Sequence, residues 1–150
     1  YVWWMWTGFI PHFGRGRAAD IVGIPDEGMA IPVGDKLRLI AVPAHFCHSS
    51  GNFSLFDPEA RILFSGDIGA ALLPSSETSL FVEDFEAHVR FMKAFHLRWM
   101  PSTRALRAWT ERVRKLQPRM ICPQHGAIFR DDDVPRFLDW LDTLEVGVIP

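Results

Sequence analysis

The chain's 150 residues predict a mixed α/β domain, with helices packed on a sheet. Two observations carry that expectation. Up to residue 66 the apolar residues fall into short strand-like runs, whereas three segments after residue 84 repeat them at helical spacing. Between the second and third of those segments a short apolar run, Met120-Ile121-Cys122, returns as one more strand.

The opening Tyr1-Val2-Trp3-Trp4-Met5-Trp6-Thr7-Gly8-Phe9-Ile10 is apolar but far short of the roughly 20 residues that span a bilayer, so it reads as a buried strand or packed edge. Residues 11–35 carry Gly14, Gly16, Gly23, Pro25, Gly28, Pro32 and Gly34 and read as loops with short strands between them. Leu37 to Val42 is a strand running into Pro43. Phe53–Pro58 and Arg61–Phe64 form a hairpin whose turn is Asp57-Pro58-Glu59-Ala60. Asp84 caps a helix over 85–99, with Phe85, Val89, Met92, His96 and Trp99 on its apolar side. Ser102 caps a second helix with the stripe Leu106, Trp109, Val113 and Leu116, which Pro118 stops. A last helix starts near Asp132–Pro135 and buries Phe137, Leu138, Leu141 and Leu144.

Composition narrows the function classes. Sixteen basic and eighteen acidic residues leave a formal charge of −2, which argues against nucleic acid as a partner. Two cysteines, Cys47 and Cys122, suit a reducing compartment rather than a disulfide scaffold, and with no signal peptide in view the expectation is a cytoplasmic protein with no membrane span. Both cysteines read as small buried residues. By length the whole of 1–150 is one domain. Because it starts without Met and directly in core-like sequence, it looks like a segment of a longer protein, and the tail Gly147-Val148-Ile149-Pro150 looks like a boundary.

Three segments carry the chemistry: Ala44-His45-Phe46-Cys47-His48-Ser49-Ser50-Gly51-Asn52, Leu63-Phe64-Ser65-Gly66-Asp67 and Pro123-Gln124-His125-Gly126. Each ends a strand-like run on a His or Asp beside Gly or Ser, where a turn can aim a side chain. Two imidazoles and a carboxylate suit a borderline divalent metal, and a carboxylate between two imidazoles can bridge two ions. His and Asp alone suit iron, zinc and manganese alike. His45 is a candidate outer group around the site, weighed against a packed or solvent-facing ring in a turn. His96 reads first as a satisfied core histidine, with a supporting role for the site still open. His12 and His88 are assigned nothing. Arg104, Arg107, Arg112, Arg114, Lys115 and Arg119 on and after the second helix are either a solvated face or a docking patch for an acidic electron donor.

These segments, together with His125-Gly126-Ala127-Ile128-Phe129 and Phe95-His96-Leu97-Arg98-Trp99-Met100-Pro101-Ser102, resemble the metallo-β-lactamase superfamily. Within it they are most similar to the flavodiiron and oxygen-binding diiron proteins. The resemblance covers most of residues 30–145. It implies an αββα sandwich, of which this chain holds the later part. It also implies His48 and His125 as terminal ligands of two irons and Asp67 as the carboxylate bridging them. The family's earlier cluster, His-x-Glu-x-Asp-(His), would by its spacing fall before Tyr1, and a flavodoxin-like FMN domain would follow Pro150. No FMN site is recognisable between them.

The function so implied is a non-haem diiron protein that binds dioxygen, either as an oxygen sensor or as a flavodiiron-type reductase of dioxygen or nitric oxide fed by an external donor. Two rivals stand beside it. One is a binuclear zinc hydrolase on the same fold. The other is an inactive piece, or an interaction module that forms a homodimer through an exposed half-sheet.

Overall fold

The computed structural model describes residues 1–10 and 21–147. His12, the first part of the Gly- and Pro-rich stretch and the 148–150 tail lie outside the described residues.

Eight strands and three α-helices are present among the described residues: β1 Val2–Trp3, β2 Gly23–Ile24, β3 Met29–Val33, β4 Leu37–Pro43, β5 Phe53–Asp57, β6 Ile62–Gly66, α1 Phe85–Trp99, α2 Thr103–Leu116, β7 Met120–Pro123, β8 Phe129–Arg130 and α3 Asp133–Thr143. β1 and β2 form a small parallel pair, and the other six strands form one sheet in the order β3-β4-β5-β6-β7-β8. The opening segment corrects the expectation of a buried strand. Only Val2–Trp3 pairs, a 3₁₀ turn follows over Trp4–Gly8, and Tyr1, Trp4, Met5, Trp6 and Phe9 are exposed.

The strand directions decide where the loops meet. β4 is antiparallel to β5 and β5 to β6, so β4 and β6 run the same way. β7 is parallel to β6. The carboxyl ends of β4, β6 and β7 therefore open on one edge of the sheet, the side on which such sheets place ligands. The hairpin turn between β5 and β6 is held by Asp57, whose carboxylate accepts from the Glu59 and Ala60 N–H groups at 2.9 and 3.0 Å.

Period-two alternation splits the sheet into two faces. One carries Ile40 and Val42 of β4, Ser54 and Phe56 of β5, Leu63 of β6 and Ile121 of β7, and all three helices pack on it. Met92 of α1, Leu106, Trp109 and Val113 of α2, and Phe137, Leu138 and Leu141 of α3 fill that core. Trp109 Nε1 donates to Ser54 Oγ at 3.0 Å, so its one polar atom is satisfied where the ring is fully buried. The opposite face carries Met29, Ile31, Leu39, Leu55, Ile62, Phe64 and Met120, half-buried or exposed, with no helix upon it among the described residues. The layers are thus those of half a sandwich, as expected.

Both helix caps read from sequence are present. Asp84 accepts from Ala87 N–H at 3.1 Å and Ser102 from Ala105 N–H at 3.2 Å. α2 ends with Gln117 in the left-handed region, φ 50°, just before Pro118. No described helix is long and apolar enough to cross a membrane.

Candidate metal centre

His48 follows β4, Asp67 follows β6 and His125 follows β7, so the three arrive together at the shared carboxyl edge. Asp67 lies between the two imidazoles: His48 Nε2 is 3.3 Å from Asp67 Oδ2, and His125 Nε2 is 3.8 Å from Asp67 Oδ1. Each carboxylate oxygen thus faces a different ring. The Asp67 side chain is 25% exposed, His48 32% and His125 60%, a shallow basin rather than a sealed cavity. Among the described residues no group of three or more His, Cys, Asp or Glu gathers around one point as a single-ion site. The donors are spread along the two oxygens of one carboxylate instead.

The loop of His48 is tight and strained. Phe46 and His48 both have positive φ, 60° and 75°, a region that side chains with a Cβ adopt at a cost. Backbone bonds hold it there: Phe46 N–H to Ser49 O at 2.8 Å, Cys47 N–H to Ala44 O at 2.9 Å and Ala44 N–H to Asn52 O at 3.0 Å. Asn52 adds a side-chain clamp, its Nδ2 donating to the Cys47 carbonyl at 2.7 Å. His48 is walled by α1, with ring centroids 5.8 Å from Phe95 and 5.7 Å from Trp99. Its Nδ1 is buried without a hydrogen-bond partner among the described residues.

A bulge at Ser65, where the β6–β7 register shifts between Phe64 and Gly66, turns β6 into the Asp67 loop. Ser65 Oγ donates to the Ile68 carbonyl at 2.6 Å. Gly69 N–H donates to His96 Nε2 at 3.0 Å, which fixes the imidazole tautomer: Nδ1 carries the proton and donates to Met92 O at 2.9 Å. Burial holds the pKa of His96 down at about 4, against a small opposing effect of the Met92 carbonyl, so the ring is neutral across the physiological range. The His125 loop is locked to the Asp67 loop, with Ala71 N–H donating to the His125 carbonyl at 3.1 Å. Gly126 has φ 99°, and a Cβ there would stand 2.8 Å from Ala71 Cβ.

His45 points elsewhere. Its ring packs 4.4 Å from Trp3 and 4.9 Å from Phe53, with Nε2 3.4 Å from Asp26 Oδ1, too poorly aligned for a hydrogen bond. Burial lowers its pKa, with Asp26 opposing. Cys47 is buried and its thiol is pushed up to about 12, while burial also raises half-buried Cys122, so both thiols are kept protonated.

The basic face read on α2 is partly neutralised by α3 and the segment after it. Arg107 pairs with Glu145 at 2.7 Å, and Arg114 bonds both Asp139 and Asp142 at 2.7 and 2.8 Å, leaving Arg104, Arg112, Lys115 and Arg119 of that set without an ion pair among the described residues. Sequence reasoning placed Asn52, Phe95 and Trp99 in segments that carry the resemblance, and Trp99 on the apolar side of α1, but gave none of the three a role at the site.

Comparison with known proteins identifies the family and the fold. Residues 1–126 match the family described as ODP family beta lactamase. The structure is similar to the peroxy diiron species of the chemotaxis sensor ODP at 44% identity and a TM-score of 0.82, covering 98% of this chain and 59% of that one. It is similar to the apo state of the chemotaxis sensor ODP from T. denticola at 45% identity and a TM-score of 0.86, with the same coverage. At 19% identity a mutant flavo di-iron protein from Thermotoga maritima shares the fold, with a TM-score of 0.74 over 94% of this chain and 34% of that one. No curated protein matches the chain. It spans 59% of the length of the ODP structures it resembles. With its half-sandwich layers and three loops meeting at one sheet edge, the chain belongs to the ODP family of metallo-β-lactamase-like proteins.

Proposed function

We propose that this chain is part of a non-haem diiron protein that binds dioxygen as a sensor, with His48 and His125 each a terminal ligand of one iron and Asp67 bridging the pair. One observation carries the reading: Asp67 offers one oxygen towards each imidazole, at 3.3 and 3.8 Å. That donor set fits two ions sharing a carboxylate better than one ion holding all three groups. The sensor role is supported by the relatives at 44 and 45% identity, both chemotaxis sensors and one of them a diiron species.

Two ferrous irons would supply the electrons and open coordination positions that dioxygen needs. The chain's own residues do the rest. Both imidazoles must be neutral to act as donors. Phe95 and Trp99 present apolar edges to His48 and limit water on that side. Asn52 holds the His48 loop, and His96 holds the Asp67 loop through Gly69.

The test is metal analysis with optical spectra on the full-length chain, purified without oxygen and then exposed to it. About two irons, with a visible band appearing on exposure, is the expected result. Two zincs and no spectral change would replace the reading with a binuclear hydrolase. Steady consumption of dioxygen or nitric oxide with a supplied reductant would replace the sensor with a reductase.

A further inference from the structure

We propose that the outer face of α1 is the docking surface for a partner protein with an acidic face. Arg90, Lys93 and Arg98 are exposed on α1 and form no ion pair among the described residues. Glu86, the one carboxylate of that helix, is taken by Arg136 at 3.2 Å. From Ala87 to Trp99 no acidic residue offsets the charge. Arg98 in the last turn is accounted for by the helix dipole. Arg90 and Lys93 are like charges three residues apart in mid-helix, an arrangement that opposes helix stability.

The cations flank an apolar centre. Leu97 is exposed between Arg90 and Lys93 on that face, and Leu72, whose N–H donates to the Phe91 carbonyl at 3.1 Å, adds a further exposed apolar side chain alongside the helix, whereas Trp99, two positions on, faces His48 instead. An apolar centre rimmed by unneutralised charge of one sign is the make-up of a steered protein interface. α2 lacks it: none of its large apolar side chains is exposed, two of its arginines are paired with Asp139, Asp142 and Glu145, and Glu111 sits among its remaining cations. The inner side of the same helix reaches the candidate centre, where Trp99 lies 5.7 Å from the His48 ring and His96 grips the Asp67 loop. The partner's chemistry follows from the charges alone; that it reads the state of the centre rests on the proposed function.

The experiment is calorimetric titration of the full-length chain, without metal, against a poly-L-glutamate peptide and against single-stranded DNA of equal charge, at low and high salt. The expected result is salt-sensitive binding of the peptide, weakened about tenfold or more by Arg90→Gln, Lys93→Gln and Arg98→Gln together. Arg104→Gln with Lys115→Gln should leave it unchanged, and Leu97→Ser alone should weaken it. Failure of the unaltered chain to bind the peptide would overturn the proposal, as would equal losses from the α1 and α2 variants. Tighter binding of DNA through the same three residues would replace the acidic protein by a phosphate backbone. None of these outcomes depends on iron, so failure here is separate from failure of the diiron reading.

Discussion

His96 ties a buried, neutral imidazole to the loop that presents Asp67. Replacing it by Leu leaves the Gly69 N–H buried without a partner, an expected loss of about 1–3 kcal/mol in urea unfolding. The burial of the ring also has a pH signature. The folded pKa lies at about 4, below the ordinary 6.5, so unfolding takes up a proton between those values. The stabilisation is complete above about pH 6.5 and falls as pH drops towards 4, by about 3 kcal/mol in all. Unfolding curves at pH 7 and pH 5 should separate in His96-containing protein, and that part of the separation should vanish in His96→Leu. At the centre itself, Asp67→Asn keeps the shape and removes the charge. Iron content of the full-length chain should fall, with affinity lost by more than the ~10–100-fold typical of an outer-shell change. The sequence showed His96 on an apolar stripe, which was enough to read it as a core histidine. Its bond to Gly69 spans 27 residues and depends on how the loop after β6 turns, so no local pattern announced it.

At the scale of elements, legibility followed locality. The caps at Asp84 and Ser102, the Asp57 turn and the stripes of α2 and α3 are set by residues within a few positions of each other and were readable. β8, two residues long and dependent on pairing with β7, was not. On α1 Phe85, Met92 and His96 are buried as read, but Trp99, read on the same apolar side, is exposed at the helix end. The opening aromatic run was misread because apolar composition suggested burial, whereas a two-residue bridge to β2 and the packing of Trp3 on His45 anchor it and most of its other large side chains stay exposed. The contact between the His125 and Asp67 loops gives the prediction at this scale. Gly126→Ala forces a Cβ into the left-handed region and against Ala71, and should cost about 1–3 kcal/mol in thermal or urea unfolding. Because the same contact sets where His125 sits, iron affinity should fall with it.

For the molecule as a whole, the bare sheet face governs behaviour. Met29, Ile31, Leu55, Ile62 and Phe64 form an apolar surface with no layer upon it among the described residues. These 150 residues alone should elute as an associated species rather than at 17.1 kDa, and Phe64→Glu should shift them towards the monomer in size-exclusion chromatography. Three donors shared between two ions should also hold metal weakly: native mass spectrometry of these residues alone should find fewer than two retained irons. The half-sandwich and the meeting of the three loops were legible through motif order and resemblance. The strain at Phe46 and His48 was not, since positive φ at such residues is imposed by the surrounding bonds.

Trp99 has one further consequence, an optical one. Its indole sits 5.7 Å from a proposed iron ligand and is 53% exposed, whereas Trp109 is buried in the core. Emission from this ring should therefore register occupancy of the centre, while Trp109 reports only on the integrity of the fold.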